Sequence, residues 1–462
     1  MKYKITFVVV FAVHIVFAQK NIQNIDSMLS ALYAKGRING NVLIADKGNI
    51  IYNKSFGIAN ESTKQALNEN SIFELCSLTK QFTAMGILLL KEKGKLKLDE
   101  PFSKYIPELS FYKGITIRHL LNHTGGLPDY MDIFIKSFDK TKIATNKDVI
   151  DYLFKDKPNV LFAPNVRWEY SNTGYALLAV IIERVSGKKY DEFLAQNIFN
   201  PLKMNSTFVY KRRSSPRDIK NYAFGYVYSD SLKKLMLPDD LEETNYVKLL
   251  DGVVGDGGVN STVMDLLKWD RALYTNKLIT SKAKEEMYAP VTLADGSTFN
   301  YGFGWQVNVS KEFGKRLSHT GGWPGYNTFI DRNVDNDKTI IVLQNHNDVE
   351  IVYKPIRYFL YGLPIPLPPN RKEIKLTEEQ LNKVLGVYEI GEGMQFTISL
   401  IAGEPYAQMT NQPALRIFPE SETSFFLKEF EATIQFEIDK NGKINKLNVL
   451  QGTSKTEATK IK

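Results

Sequence analysis

The chain has 462 residues, 43% of them hydrophobic and 12% aromatic, with a formal charge of +8. That composition excludes a disordered or fibrous protein and leaves room for two or three domains around a large core. Its basic residues are spread, and the densest run, K-R-R at 211–213, reads as a solvated loop, which argues against a nucleic-acid-binding stripe.

Lys2 and Lys4 precede an apolar run from Ile5 to Phe17, and Ala18 stands before Gln19. This is the pattern of a secretory signal peptide, residues 1–18, cut at Ala18–Gln19. The run is too short for a membrane span, so an exported chain is expected, periplasmic or secreted, with no span after processing. Loss of Lys2 and Lys4 takes the charge from +8 to +6. The single cysteine, Cys76, forbids an intrachain disulfide and reads as a buried packing residue. Five histidines, one of them in the leader, make no zinc cluster, and neither metal nor cofactor is expected.

After the leader, Asp26 to Gly36 reads as an amphipathic helix ending at its glycine. Strand-like runs Asn41–Ala45 and Asn49–Gly57 follow, joined by the hairpin signal Asp46-Lys47-Gly48. Phe73 to Leu90 reads as one apolar helix stopped at Lys93-Gly94. From about 95 to 315 the pattern is helical and loop-rich, with Tyr175–Val185 closed by Ser186-Gly187. Strands return at Leu317–Gly322, Tyr326–Asp331 and Thr339–Leu343, and Asp348–Tyr361 looks helical. The order predicts an α+β domain, residues 19–363, whose antiparallel sheet is built from both chain ends and flanked by helices, with a mostly helical insertion. A crevice between sheet and insertion is the expected ligand site.

Pro364–Asn370 opens a stiff linker, 364–375. In the tail, 376–462, a short helix with a capping pair at Thr377 and Gln380 precedes eight strand-like runs. These are Val387–Ile390, Gln395–Leu400, Ala407–Thr410, Leu415–Phe418, Ser424–Leu427, Thr433–Ile438, Lys443–Leu450 and Thr456–Ile461, which predict a small antiparallel β-barrel.

Three short motifs carry chemistry. Ser77 and Lys80 stand one helical turn apart, a hydroxyl beside an amine able to act as its base. Ser-x-x-Lys recurs at Ser110, Ser137, Ser186, Ser231 and Ser281, but only the copy at Ser77 opens an uninterrupted apolar run. Tyr170 and Asn172, two apart before the Tyr175 helix, offer a phenol and an amide to one side of an extended segment, or else Asn172 caps the helix and Tyr170 packs. In L-S-H-T-G-G-W-P-G-Y, 317–326, the strand edge around His319, Thr320, Gly321 and Gly322 can present N–H groups to an oxyanion. A near copy, H-T-G-G at 123–126, reads as a helix-terminating turn.

Taken together, Ser77-x-x-Lys80, Tyr170-x-Asn172 and His319-Thr320-Gly321 resemble the serine β-lactamase and penicillin-binding protein superfamily, in its class C, D-Ala-D-Ala carboxypeptidase and esterase branch. G-K-L-K-L-D-E-P at 94–101, I-R-H-L-L-N-H-T-G-G-L-P at 117–128 and G-V-N-S-T-V-M-D-L at 258–266 match too, so the similarity covers roughly residues 25–360. The tail resembles a lipocalin-like domain. The resemblance implies Ser77 as acylated nucleophile, Lys80 as its proton acceptor or electrostatic activator, Tyr170 as proton relay, and His319 with them in the catalytic set. It implies substrate binding by Asn172, Thr320 and Gly321 and an oxyanion hole from the N–H groups of Ser77 and Gly322. His319 stands where many relatives carry lysine, so only a weak carboxylate clamp is expected. Asn165 stands where a glycine is usual. The implied enzyme cleaves small esters, D-amino-acid amides or peptides, cell-wall-derived ones among them, with weak β-lactamase activity. The alternative is a silent sensor of cell-wall fragments or β-lactams.

Overall fold

Val42 and Ile44 point to one side of a strand and Leu43 and Ala45 to the other, and all four are fully buried, so their sheet is covered on both faces. The computed structural model describes residues 4–347, 349–363, 371–391, 394–401, 403–410, 414–427, 432–440, 442–451 and 454–461. The chain divides into two compact units, Met1–Pro364 and Ile365–Lys462. The proline-dense start of the expected linker, 364–370, lies outside the described residues.

In the first unit, β1 (Gly40–Asp46), β2 (Asn49–Phe56), β3 (Gln306–Ser310), β4 (Gly314–Trp323), β5 (Tyr326–Asn333) and β6 (Lys338–Gln344) form one sheet in the order β3-β4-β5-β6-β1-β2. Every pairing is antiparallel. β1 lies against β6 from Gly40↔Gln344 to Asp46↔Lys338, so both ends of the unit share one sheet, as the alternation implies. The hairpin at Lys47-Gly48 takes left-handed φ at both residues.

One face is closed by α1 (Lys4–Ala34), through Ile25 and Leu29, and by a C-terminal helix (Tyr353–Leu360), through Ile356 and Leu360. The latter starts five residues later than the sequence pattern suggests, and Asp348 lies outside the described residues. α1 is continuous through the expected cleavage point and ends two residues before Gly36. On the other face lie α2 (Thr79–Glu92), α3 (Asn172–Ser186) and α4 (Val263–Leu273), packed through Phe82, Leu88, Ile181, Ile182 and Trp269. Residues 79–90 of α2 are all buried, making it the central helix of the unit. Among the described residues no helix is long and apolar enough to cross a membrane.

The helix expected from Phe73 is a composite. Phe73–Glu74 is extended and pairs with Val259–Ser261, Cys76–Leu78 forms a 3₁₀ turn, and only then does α2 begin. The interruption is local to Cys76, whose φ of 52° is left-handed and incompatible with a continuous helix.

In the second unit, Thr377 and Gln380 form the expected capping box on the helix Glu378–Val384. Nine antiparallel strands follow, because Leu415–Phe418 splits into Leu415–Arg416 and Phe418–Pro419. These two short strands are the opposite ends of the sheet, and Ile417, fully buried, lies between them. The ends therefore meet across one residue, and the sheet curls into a nearly closed barrel around Tyr388, Phe425 and Leu447.

Candidate active site

The turn that carries Ser77 is held at both ends. Leu75 N–H donates to Val259 O at 2.8 Å, and Val259 N–H donates to Thr79 Oγ1 at 3.1 Å. Phe82, fully buried, packs on Trp269 with centroids 4.7 Å apart, so the helix following the turn cannot slide. Ser77 remains partly exposed at the mouth of this frame, beside the strained Cys76. Burial pushes the Cys76 thiol well above its usual range, consistent with a packing residue and not a nucleophile.

Lys80 is fully buried, and its ammonium uses all three donors. Nζ donates to Ser77 Oγ at 3.3 Å, Asn172 Oδ1 at 2.9 Å and Asp256 O at 3.0 Å. It also lies 4.8 Å from the Tyr170 ring centroid and 5.5 Å from that of Tyr175. Asn172 is the first residue of α3, and the cap is its neighbour Ser171, whose side chain accepts from Gly174 N–H. Asp129 Oδ2 accepts the Asn172 N–H at 2.6 Å, which leaves the Asn172 amide for Lys80. Burial pushes the Asp129 carboxyl up to about 6.

β3 pairs with β4 only over Gly314–Ser318, so the stretch from His319 to Trp323 has no strand on that side among the described residues. The turn bearing Ser77 packs there instead. A Cβ at Gly321 would stand 2.4 Å from Leu75 O and 2.2 Å from Thr328 Oγ1, so only glycine permits this approach, whereas Gly322 faces open space.

Ser77, Tyr170, Asn172 and Gly322 border one cavity of about 260 Å³. His319, Thr320 and Gly321 do not border it: Thr320 faces solvent and His319 is buried behind the strand. The His319 ring bridges Tyr301, whose hydroxyl is 2.8 Å from Nε2, and Thr320 O, 2.6 Å from Nδ1. A carbonyl only accepts, so Nδ1 carries the proton and Nε2 accepts from the phenol. Burial, reinforced by the Lys80 charge, pushes His319 down to about 4, and the ring is neutral at pH 7.

The rest of the cavity wall was not legible in the motifs. It includes Glu74, Tyr210, Arg212, Arg213 and Asp251. The K-R-R run is thus no solvated loop. Arg213 Nε and Nη2 donate to Asp239 at 2.8 and 3.0 Å, Arg213 N–H donates to Asp251 at 2.9 Å, and Arg212 pairs with Asp239. Asp256 also borders the cavity, its carboxylate accepting from Tyr130 Oη at 2.8 Å. The only local signal for it was the glycine-rich G-D-G-G at 255–258. Asn165 takes φ of 65°, the conformation for which a glycine is suited and which asparagine tolerates. Among the described residues no group of three or more His, Cys, Asp or Glu is arranged to hold a metal.

Two family models match the chain. One, described as beta-lactamase, spans residues 25–360, and the other, a domain of unknown function termed DUF3471, spans 370–460. The tail's match thus names no lipocalin kinship. Penicillin-binding protein 4* of Bacillus subtilis (strain 168) is 43% identical over 425 residues, 90% of this chain and 94% of the relative. The solved octameric penicillin-binding protein homologue from Pyrococcus abyssi shares the fold, with a TM-score of 0.66 at 24% identity over 94% of this chain and 99% of that one. D-amino acid amidase from Ochrobactrum anthropi SV3, solved with L-phenylalanine, is 25% identical, with a TM-score of 0.58 over 74% of this chain and 95% of that one.

Proposed function

The chain belongs to the β-lactamase family of serine hydrolases, and from that premise we propose that it cleaves esters or amides of D-amino acids, or short D-peptides, through an acyl-enzyme on Ser77. Acyl-enzyme chemistry is general to the family. The observation that supports Ser77 is the fully buried Lys80 ammonium, whose hydrogen bonds among the described residues run to Ser77 Oγ, Asn172 Oδ1 and Asp256 O.

In this reading Ser77 Oγ attacks the substrate carbonyl as its proton passes to Tyr170 Oη, with the Lys80 ammonium as the electrostatic activator of Ser77. Tyr170 delivers a proton to the leaving group, and water then releases the acyl group by the reverse relay. The N–H groups of Ser77 and Gly322 stabilise the oxyanion, each worth about 3 kcal/mol. Asn172 holds the substrate amide and orients Lys80. His319 and Gly321 act outside the cavity, by fixing the strand edge that carries Gly322. A neutral His319 bonded to Tyr301 offers no cation to a substrate carboxylate, which supports weak β-lactam hydrolysis. The apolar leader and the penicillin-binding relatives support export, with cleavage near Ala18–Gln19.

The test is labelling with a fluorophosphonate and a fluorescent penicillin, wild type against Ser77→Ala, alongside turnover of p-nitrophenyl esters, D-alanyl peptides, D-amino acid amides and nitrocefin. A Ser77-dependent adduct with ester or D-amide turnover is expected. Absence of any Ser77-dependent adduct would sink the proposal, and nitrocefin turnover rivalling that of dedicated β-lactamases would overturn the substrate preference.

A further inference from the structure

The charges around the cavity do not cancel. Beneath Ser77, the Lys80 ammonium sits against the backbone of Asp256, whose carboxylate is held by Tyr130. Across the cavity, Arg212 and Arg213 face Asp239 and Asp251. Arg213 bonds both acids, Arg212 bonds Asp239, and Asp251 further accepts from the N–H groups of Arg213 and Ser214 and from Ser214 Oγ. Each of these groups is committed to hydrogen-bond partners.

Glu74 is the exception. It borders the cavity three residues before Ser77, and among the described residues no donor or cation bonds its carboxylate. Asp239 and Asp251 are matched by Arg212 and Arg213, whereas Glu74 has no cation bonded to it among the described residues. Burial, opposed by the Arg213 charge, pushes the Glu74 carboxyl up to about 7. Tyr210 and Trp323 border the same space.

We infer that Glu74 is the docking point for a protonated amine of the substrate, so that the favoured substrates are amino-acid esters, amides or short peptides with a free amino group. This deepens the proposed reading of Ser77 and rests on it for the reaction, but the binding step is independent of the nucleophile. An amine seated at Glu74 completes the charge set, and a partly desolvated ion pair of this kind discriminates against an uncharged analogue by well over tenfold. N-acylation or replacement of the amine by a hydroxyl removes the cation and leaves the partly buried Glu74 without its partner.

Binding to the Ser77→Ala protein, measured by calorimetry with D-alaninamide, N-acetyl-D-alaninamide and D-lactamide, tests this without turnover. D-alaninamide is expected to bind at least tenfold tighter than the other two, and the preference is expected to vanish in Ser77→Ala/Glu74→Gln. The isosteric glutamine keeps the shape of the wall, and the comparison of the three ligands on Ser77→Ala needs no change at Glu74. Equal binding of the three ligands, or a preference that survives Glu74→Gln, overturns the inference. Loss of Ser77-dependent labelling in the wild type would instead sink the hydrolase reading while the amine preference stood.

Discussion

His123 grips the chain on both sides of Tyr170: its carbonyl accepts the Glu169 N–H at 3.0 Å, and its ring Nδ1 accepts the Ser171 N–H at 3.1 Å. The ring itself lies 4.4 Å from that of Tyr170, centroid to centroid. His123 is buried and in a left-handed conformation, and burial holds it well below its usual pKa, so it stays a neutral acceptor. It is a positioning residue for the phenol. His123→Ala is expected to lower kcat on a p-nitrophenyl ester by about tenfold or more with little change in KM, since a misaimed relay impairs chemistry more than binding. Asparagine, able to accept from Ser171, should recover part of the loss. An equal effect on KM alone would argue against this role.

Lys80 offers a sharper test. Removing its ammonium leaves Asn172 Oδ1 and the buried Asp256 O without their donor and deprives Ser77 of its electrostatic activator. Lys80→Ala is expected to reduce the rate of Ser77 acylation by about 10²- to 10⁴-fold. Stopped-flow labelling with a fluorophosphonate measures it, and an acylation rate within a few-fold of wild type would remove Lys80 from the mechanism.

How much of this was legible follows from the range of each interaction. The two-faced alternation of Val42, Leu43, Ile44 and Ala45 announces a covered strand, and the hairpin at Asp46–Gly48 fixes its partner, so the sheet could be read locally. The Ser77, Tyr170 and Gly322 segments were found by motif, and they border one cavity. Arg212 and Arg213 were missed because their meaning lies in Asp239 and Asp251, some 26 to 38 residues away, and a run of basic residues looks the same whether solvated or paired. The break before α2 was missed because nothing in the neighbouring sequence signals a left-handed cysteine. The strand split at Ile417 likewise depends on closure of the barrel, since Ile417 N–H turns to Pro405 O.

Gly321 and Gly322 should respond oppositely to alanine. At Gly321 the new methyl would meet Leu75 O and Thr328 Oγ1 well inside van der Waals contact, forcing β4 away from the Ser77 turn. Overpacking of this kind costs about 1–3 kcal/mol, and the displaced edge should lower kcat/KM as well. At Gly322 no atom stands within 4 Å, so Gly322→Ala should unfold at a Tm close to that of wild type. Thermal unfolding of the two variants side by side decides it; an unchanged Tm for Gly321→Ala would mean that the close packing of strand on turn is not real.

The last prediction concerns acid. His319 has a folded-state pKa of about 4 against an ordinary 6.5, because burial and the Lys80 charge disfavour its protonated form. Between those values the unfolded chain binds the proton and the folded chain does not, so stability rises with pH across this window and falls as pH drops from 6.5 toward 4. The full contribution is about 3 kcal/mol, present above pH 6.5 and lost below about 4. Buried acids act in the other direction: Glu74 at about 7 and Asp129 at about 6 take up protons in the folded state first, and so offset part of this loss. The wild-type curve alone therefore mixes both. Comparison with His319→Gln isolates the histidine, because the acids are common to both proteins. Urea unfolding at pH 7 and pH 4 should show the wild type losing about 3 kcal/mol more than the variant over that interval. Parallel curves would mean that His319 accepts its proton as readily folded as unfolded, against its burial between Tyr301 and Thr320 O.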